Sequence, residues 1–216
     1  MRARAPSRTA SLSSTAPDDP RLRAWFDALV ATPGLTALRG DEAWRELVED
    51  ALTALPLVTD LEGPLVDVGS GGGVPGVPLA LALPDRDVTL LEANGKKCGF
   101  LREATRDLAN VSVVQGRAEE QELERFGVAV AKALAAPAVA AEWLLPLVRV
   151  GGAAIVYAGH VEEDLARVAE ILGADAPELH PVAGFRDRSH LVFRKVAPTP
   201  EGFPRRVGIA KKRPLG

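Results

Sequence analysis

The amino-acid sequence predicts an α/β fold with a mostly parallel sheet of seven strands that ends in an antiparallel hairpin. From residue 64 onward, short apolar runs typical of buried strands alternate with segments of helical spacing, which is the pattern of βαβ units. A glycine-rich turn follows the first of these strands. The last two strand-like runs have no helix between them, and consecutive strands with a short link can pair antiparallel. We therefore expect helices on both faces of one sheet.

Two helices precede the sheet, at 21–30 and 41–55, and the Pro33-Gly34 pair separates them. The second helix carries an apolar stripe at helical spacing, so both should cap the core rather than join the sheet. Strands are predicted at 64–68, 88–91, 111–114, 128–131 and 153–157, with helices at 76–83, 96–108, 137–147 and 161–172. The hairpin strands are 178–182 and 190–196. Prolines after Lys195 predict no regular helix or central strand there: Pro198, Pro200, Pro204 and Pro214.

Composition divides the chain into four segments: a disordered tail (1–19), a helical cap (20–60), the main domain (61–197) and a basic tail with several prolines (198–216). The 216 residues, 47% of them hydrophobic, suffice for a full core. No run of about 18 apolar residues suggests a membrane span, and the first residues lack the apolar core of a secretory signal. We expect a cytoplasmic protein without membrane association, with a monomer favoured. The single cysteine, Cys98, excludes an intrachain disulfide and a thiolate zinc cluster.

Charge is distributed unevenly along the chain. The net charge of −3 argues against a uniformly basic nucleic-acid binder, but the C-terminal region from residue 186 is strongly basic. Such a surface can bind phosphates without reading bases. A solvated, frayed terminus is the alternative. The basic residues of this region are Arg186, Arg188, Arg194, Lys195, Arg205, Arg206, Lys211, Lys212 and Arg213.

The run from Leu65 to Gly76 is the strongest functional signal, because an apolar strand leads through Asp67 into a turn rich in glycine. Gly69, Gly71 and Gly73 leave no Cβ in the turn, so its amides can approach a ligand closely. About 20 residues later, a second strand ends in Glu92, whose carboxylate can accept hydrogen bonds from both hydroxyls of a ribose. Together these features predict a nucleotide-type cofactor site.

Two cofactors fit this pattern. The segment from Gly71 to Gly76 also matches the GxGxxG pattern of NAD(P) binders, which would make the protein an oxidoreductase. Asp67 favours S-adenosylmethionine instead, because a carboxylate there can order the loop and face the amino-acid end of that cofactor. The terminal antiparallel hairpin also favours it, since class I methyltransferases have this Rossmann-like arrangement. A third interpretation is a purely structural glycine turn that binds no ligand.

Several motifs together resemble a single family over about residues 35–213. They are Leu-Thr-Ala-Leu at 35–38, the run from Asp67 to Ala80, Asn-Gly-Lys-Lys at 94–97 followed by Phe100, Gly-Arg-Ala-Glu-Glu at 116–120, and the proline-rich basic end. These segments are similar to those of the 16S ribosomal RNA guanine-N7 methyltransferase family, the RsmG or glucose-inhibited division protein B type. The resemblance implies transfer of a methyl group from S-adenosylmethionine to N7 of a guanosine in the 530-loop of small-subunit ribosomal RNA, either free or in a ribosomal particle.

The resemblance also implies site residues. Gly69 and Val74 would line the methionine and adenosine pockets, Glu92 would hold the ribose, and Ala118 with Glu119 would flank the adenine. Glu119 is equally suited to cap the short helix that follows. Lys132, after the fourth strand, is suited to hold a phosphate or the cofactor carboxylate. The RNA-binding candidates are Lys96, Lys97, Arg117, Arg205, Arg206, Lys211, Lys212 and Arg213, of which Lys96 and Lys97 are equally suited to a solvated helix face.

Four positions depart from the family pattern. Leu47 stands where the family has histidine, Ala51 replaces a serine, Lys132 an arginine and Ala158 a lysine. Lysine keeps the charge of arginine but loses the planar fork that grips a carboxylate or phosphate. A divergent member with another substrate, or with cofactor binding and reduced activity, is therefore an alternative.

The chemistry of N7 methylation agrees with what the sequence lacks. Guanine N7 has an unprotonated lone pair at neutral pH, so no general base is needed and no catalytic acid or base is predicted. Catalysis would come from positioning the reacting atoms. His160, His180 and His190 are not spaced as a metal site, and no metal is expected.

Overall fold

The computed structural model describes residues 19–161 and 164–215. The predicted disordered tail lies outside the described residues, apart from Asp19. Seven strands form one sheet, and their bounds are β1 (Leu65–Val68), β2 (Val88–Glu92), β3 (Val111–Gln115), β4 (Phe126–Lys132), β5 (Val148–Ala158), β6 (Glu178–Pro181) and β7 (Ser189–Arg194).

The strand order is β3-β2-β1-β4-β5-β7-β6. Strands β1 to β5 are parallel, with Leu65 beside Val88 on one side and beside Val128 on the other. Strand β7 runs antiparallel to both β5 and β6. The predicted fold class is thus confirmed, including the C-terminal hairpin. Because β1 and β4 are central and connect to opposite halves of the sheet, a crevice is expected at their carboxyl ends.

Helices cover both faces of the sheet, as the apolar runs of the strands require. Their bounds are α1 (Pro20–Ala31), α2 (Gly40–Trp44), α3 (Asp50–Leu52), α4 (Leu55–Thr59), α5 (Gly76–Ala82), α6 (Gly95–Ala104), α7 (Pro137–Leu144), α8 (Ala166–Ile171) and α9 (Ile209–Lys212). One core cluster joins α1 to α6 to one face, and the other joins α7, α8 and α9 to the opposite face. Successive residues of β1 enter different clusters, because side chains alternate across a strand.

The N-terminal cap begins with a helix whose start is fixed locally. The Asp19 side chain accepts the backbone N–H of Arg21 at 2.8 Å, and Pro20 occupies the first helical position. Helix α1 buries one face, and its Trp25 donates from Nε1 to the backbone oxygen of Gly72 at 2.9 Å. The cap therefore contacts the glycine turn directly.

The predicted helix at 41–55 is interrupted in the structure. A π-helical turn spans Arg45–Glu49, where Asp50 donates its N–H to the oxygen of Arg45. Such turns are rare and place one extra residue in the helix. The backbone oxygen of Glu46, inside this turn, accepts a hydrogen bond from Lys132 at 2.8 Å. Hydrophobic spacing alone does not reveal this irregularity.

The prediction of no regular helix after Lys195 was wrong, because Ile209–Lys212 form the short helix α9. The segment between Pro204 and Pro214 is long enough for one turn, and Ala210 is buried there against α7. Two further boundaries were wrong: β5 begins at Val148 rather than at 153, and α8 begins at Ala166 rather than at 161. The short helix α4 was not predicted as a separate element. Among the described residues, no helix is long and apolar enough to cross a membrane.

Gly127 in β4 lies close to the backbone of residues 62–63. A Cβ on this residue would lie 1.8 Å from the backbone oxygen of Glu62 and 3.2 Å from Cα of Gly63. Neither neighbour is a flexible side chain, so the main chain itself would have to move. By contrast, Gly99 is exposed on α6, and a Cβ there would meet nothing within 4 Å.

Gly127→Ala and Gly99→Ala should therefore change stability in opposite directions. We expect the first to lower the free energy of unfolding by about 1–3 kcal/mol through overpacking. The second should raise it by roughly 0.5–1 kcal/mol, because alanine favours a helix more than glycine does. Equilibrium urea unfolding measures both. Wild-type stability in Gly127→Ala would contradict the close approach between β4 and residues 62–63.

Candidate active site

A cavity of about 310 Å³ opens at the carboxyl ends of β1, β2, β3 and β4. Three chain turns converge on it, one after each of the first three strands, together with residues that follow β4. Side chains from α7 and α9 complete the wall. The lining residues are Val68, Gly69, Leu91, Glu92, Ala93, Lys97, Gly116, Arg117, Ala118, Glu119, Ala133, Leu134, Trp143 and Lys211.

Asp67 lies beneath the glycine loop and is fully buried. Its Oδ2 accepts the backbone N–H of Gly76, the first residue of α5, at 3.0 Å. Ser70 donates its hydroxyl to the backbone oxygen of Asp67 at 2.8 Å, which tightens the turn. Asp67 does not line the cavity, so its contact is with the loop.

Burial raises the pKa of Asp67 to about 7, although the hydrogen bond from Gly76 opposes the shift. The other carboxylate oxygen, Oδ1, has no hydrogen-bond partner. An ionised carboxylate with one unpaired buried oxygen is costly, which explains why this group holds its proton up to neutral pH.

Glu92, the last residue of β2, joins two turns beside the cavity. Its Oε2 accepts the N–H of Gly71 at 2.9 Å, and its Oε1 accepts the N–H of Asn94 at 2.8 Å. Each carboxylate oxygen has a second lone pair, so the group can still accept hydroxyl donors from the cavity side. This geometry suits a residue that binds a pair of neighbouring hydroxyls.

Gly69 lines the cavity in a backbone conformation that favours glycine, with φ of +74°. A Cβ at this position would lie 2.4 Å from Cδ1 of Leu134, on the opposite wall. The missing side chain therefore lets Leu134 approach the turn after β1 closely.

Gly73 and Val74 lie on the other side of the loop. A Cβ on Gly73 would meet Cγ2 of Val77 at 2.7 Å and Nε1 of Trp25 at 3.0 Å. Val74 packs against the core cluster of the cap. These residues, like Gly71, shape the loop, and none of the three lines the cavity. Their assignment to cofactor contact stays a prediction.

The turn after β3 forms the far end of the cavity. Ala118 is buried and Glu119 is half-buried, both in a short 3-10 helix, and both line the cavity. Glu120, rather than Glu119, caps this helix by accepting the N–H of Arg117 at 3.3 Å. Glu119 instead accepts the N–H of Gly208 at 3.3 Å, so it contacts the C-terminal segment.

The side chain of Lys132 binds residues of the N-terminal cap and does not line the cavity. Its ammonium donates to Oδ2 of Asp50 and to the backbone oxygen of Glu46, and it is not among the lining residues. Asp50 is 1% exposed and comes from the N-terminal cap. The structure thus places Lys132 in an ion pair between cap and sheet, and its contact with a cofactor stays a prediction.

A second buried polar group lies beside this ion pair. His190 in β7 is 3% exposed, and its Nε2 lies 2.8 Å from Oγ1 of Thr53 in the cap. The Tyr157 hydroxyl donates to the backbone oxygen of Ala51 at 2.5 Å. Burial lowers the pKa of His190 to about 4, so the ring is neutral at physiological pH. Within the described residues, no cluster of three or more metal-ligating side chains occurs.

The RNA-binding candidates fall into different environments. Lys97 and Arg117 line the cavity, while Lys96 is exposed at the first turn of α6. Arg206, Lys212 and Arg213 are exposed on the C-terminal segment. Arg205 forms a two-pronged ion pair with the buried carboxylate of Glu142 in α7.

Sequence reasoning missed two parts of the cavity wall, Leu134 after β4 and Trp143 on α7. Trp143 lies among apolar residues of α7 and is 8% exposed. Its Nε1 is buried without a partner. No motif marks either residue; the signal for Leu134 was its position just after a strand end.

Comparisons with known proteins find similar chains of one family. The family model described as rRNA small subunit methyltransferase G matches residues 29–175. The ribosomal RNA small subunit methyltransferase G of Synechococcus elongatus is 38% identical over 184 residues, covering 77% of this chain and 76% of the relative. The protein of that name in Chloroflexus aggregans is 37% identical over 197 residues, covering 84% and 82%.

Solved structures show the same fold at low identity. Precorrin-6y C5,15-methyltransferase from Geobacter metallireducens is similar with a TM-score of 0.54 at 14% identity, covering 85% of this chain and 98% of that one. The S-adenosylmethionine-dependent methyltransferase SibL, in its apo form, gives a TM-score of 0.56 at 20% identity, covering 80% and 62%.

The raised pKa of Asp67 predicts a distinct pH dependence of stability. In the folded state its carboxyl keeps a proton up to about pH 7, whereas in the unfolded chain it loses the proton near pH 3.8. The free energy of unfolding should therefore fall as pH rises between these values, by a total on the order of a few kcal/mol. His190 opposes this between about pH 4 and 6.5, because there only the unfolded chain binds its proton.

Asp67→Asn removes the falling contribution, so its stability should rise more steeply with pH than that of the wild type. Urea unfolding between pH 4.5 and 7.5 measures the difference, with Asp85→Asn at an exposed turn as the control. Parallel pH profiles for wild type and Asp67→Asn would show that Asp67 titrates alike in both states.

Proposed function

The chain belongs to the rRNA small subunit methyltransferase G family, and from this we propose that it transfers a methyl group from S-adenosylmethionine to N7 of a guanosine in the 530-loop of 16S ribosomal RNA. The observation that carries the proposal is the cavity between the glycine loop and Glu92, at the carboxyl ends of the central strands. Ligands of open α/β sheets bind at this place.

The residues present fit this cofactor. The volume of about 310 Å³ is in the range of small-molecule sites. Glu92 offers its carboxylate to the ribose hydroxyls, Ala118 and Glu119 border the adenine end, and Gly69 borders the methionine end. Asp67 holds the loop in shape from below through Gly76. When bound, the cofactor supplies a methyl group already activated on a sulfonium.

The protein's contribution to the reaction is to position guanine N7 against the methyl group of the cofactor. Guanine N7 is unprotonated at neutral pH, so no side chain needs to remove a proton. Alignment of the nucleophile with the methyl group can contribute several kcal/mol to lowering the barrier. The described cavity agrees with this, since its ionisable lining residues are Glu92, Lys97, Arg117, Glu119 and Lys211, with no histidine or cysteine among them.

The charged residues around the cavity are suited to two roles: stabilisation of the methylated base and binding of RNA phosphates. Methylation at N7 places positive charge on the base, which nearby carboxylates stabilise. The exposed cations Lys96, Arg206, Lys212 and Arg213 are suited to phosphates of the RNA, with Lys97 and Arg117 at the cavity mouth. The base must leave its stack to reach the cavity, which favours a loop as the target.

The same proposal assigns roles to the segments of the chain. The cap at 20–60 supports the glycine loop, residues 61–197 carry the cofactor site, and residues 198–216 contribute to RNA binding. The protein acts as a monomer on ribosomal RNA or on a small-subunit particle. This substrate places the reaction in the cytoplasm.

An alternative is a family member that binds the cofactor but has reduced activity or another substrate. The ion pair of Lys132 with Asp50 favours it, because the cation at this position is occupied within the protein. The two functions predict the same cofactor affinity and differ in methyl transfer.

Methyl transfer from labelled S-adenosylmethionine decides between them. The acceptors are small-subunit particles and free small-subunit RNA, both lacking N7 methylation, and the labelled base is then mapped. Label at N7 of a guanosine in the 530-loop is the expected result. Cofactor binding without label on either acceptor supports the alternative, and the absence of cofactor binding overturns both.

Gly69→Ala should weaken cofactor binding by about tenfold or more, because the new methyl group overlaps Cδ1 of Leu134 and displaces this side chain from its place in the cavity wall. Gly34→Ala is the matched control, since Gly34 also has positive φ, +82°, but a Cβ there meets nothing within 4 Å. Calorimetric titration with S-adenosylmethionine measures both. Equal affinity in the two variants would place the binding site elsewhere.

A further inference from the structure

The basic C-terminal segment, residues 203–215, is docked on the domain rather than extended from it. Phe203 and Leu215 pack against the core cluster of α7 and α8, and Ala210 is 2% exposed within it. We call residues 203–215 the C-terminal strap. Because apolar anchors at its beginning, middle and end are covered, the strap has a defined path over the protein surface.

An ion pair holds the beginning of the strap against α7. Nε and Nη2 of Arg205 bind the two carboxylate oxygens of Glu142, whose side chain is 1% exposed. Nη2 also donates to the backbone oxygen of Arg213 at 2.9 Å, which closes the strap on itself. A paired arginine and carboxylate in this geometry is directional as well as strong. Nε and Nη2 of Arg205 therefore bind groups within the protein, and its contact with RNA stays a prediction.

The strap reaches the cofactor cavity at the end formed by Ala118 and Glu119. The N–H of Gly208 donates to Oε1 of Glu119 at 3.3 Å. One turn later, Nζ of Lys211 lies 5.3 Å from the centre of the Trp143 ring. Lys211 and Trp143 both line the cavity. A cation over an indole face is attracted by the ring, so this contact holds the ammonium at the cavity wall.

The basic residues of the strap thus divide into two sets. Lys211 lines the cavity and Arg205 is bound by Glu142, whereas Arg206, Lys212 and Arg213 are exposed and do not line the cavity. Lys211 and Lys212 are adjacent on α9, so neighbouring side chains of the same type occupy different environments. This is a natural matched pair for an experiment.

We infer that the C-terminal strap is a wall of the cofactor site, in which Lys211 is a binding residue for the adenine end of the cofactor, while Lys212 serves RNA phosphates. The inference rests on the proposed function. The ammonium of Lys211 supplies a hydrogen-bond donor beside Ala118 and Glu119, where the ring nitrogens of an adenine are acceptors. Lys212 contributes a charge on the outer surface, where phosphate contacts are sensitive to salt.

The test compares Lys211→Ala and Lys212→Ala in the full-length protein, with two ligands for each. Calorimetry measures the affinity for S-adenosylmethionine, and filter binding measures the affinity for a small-subunit RNA fragment at low and moderate salt. Both lysines are exposed, so we expect both variants to fold, and thermal unfolding verifies this. We expect each variant to weaken the binding of one ligand and to leave the binding of the other nearly unchanged.

Lys211→Ala should weaken cofactor binding by about tenfold, the loss typical of a hydrogen bond to a charged donor, and leave RNA affinity nearly unchanged. Lys212→Ala should retain cofactor affinity and lose RNA affinity, with a shallower salt dependence. Equal cofactor affinity in the two variants overturns the role of Lys211, and wild-type RNA affinity in Lys212→Ala overturns that of Lys212. A wild-type protein that binds no S-adenosylmethionine overturns the proposed function itself, which distinguishes the two failures.

Discussion

The loop after β1 depends on acceptors for its backbone N–H groups, since residues 69–75 belong to no helix or strand. The backbone oxygens of Leu91 and Ser70 accept from four of these residues. Two carboxyl groups add further bonds: Glu92 accepts from Gly71, and Asp67 accepts from Gly76 at the start of α5. A buried N–H without a partner costs about 1–3 kcal/mol, so these bonds define the loop conformation. Because Glu92 belongs to the neighbouring strand, the same bonds set the distance between the turns after β1 and β2. The cavity exists because that distance is fixed.

The N-terminal cap is bound to the carboxyl end of the sheet by polar contacts as well as by its apolar face. Trp25 reaches the glycine loop, Asp50 reaches Lys132 at the end of β4, and the backbone of Ala51 receives Tyr157 of β5. Removal of one partner from a buried ion pair costs more than the pair itself contributes. The cap is therefore part of the structure that positions the strand ends, and it is not an independent domain.

Much of the fold followed from the sequence, because alternation of apolar strands and helices is a local signal that each segment carries by itself. The same holds for Gly69 and Glu92, whose places in the cavity follow from their positions at strand ends. Lys132 and Lys211 could not be assigned in this way. Their partners, Asp50 and Trp143, are distant along the chain, and only the folded packing shows which charge is already paired. The helix α9 was missed because flanking prolines outweigh one turn of helical spacing.

The four departures from the family pattern can be interpreted by where their side chains lie. Ala158 is 7% exposed and Leu47 packs against the core of the cap, so both substitutions place apolar groups where the protein is apolar. The backbone oxygen of Ala51 accepts a hydrogen bond from the Tyr157 hydroxyl, a contact that does not depend on the side chain at position 51. Lys132 retains the positive charge of arginine and forms an ion pair with Asp50. None of the four lines the cofactor cavity. Leu47 and Ala51 lie in the cap, and Lys132 and Ala158 end β4 and β5. Because all four lie outside the lining of the cavity, we expect their effect on methyl transfer to exceed their effect on cofactor affinity.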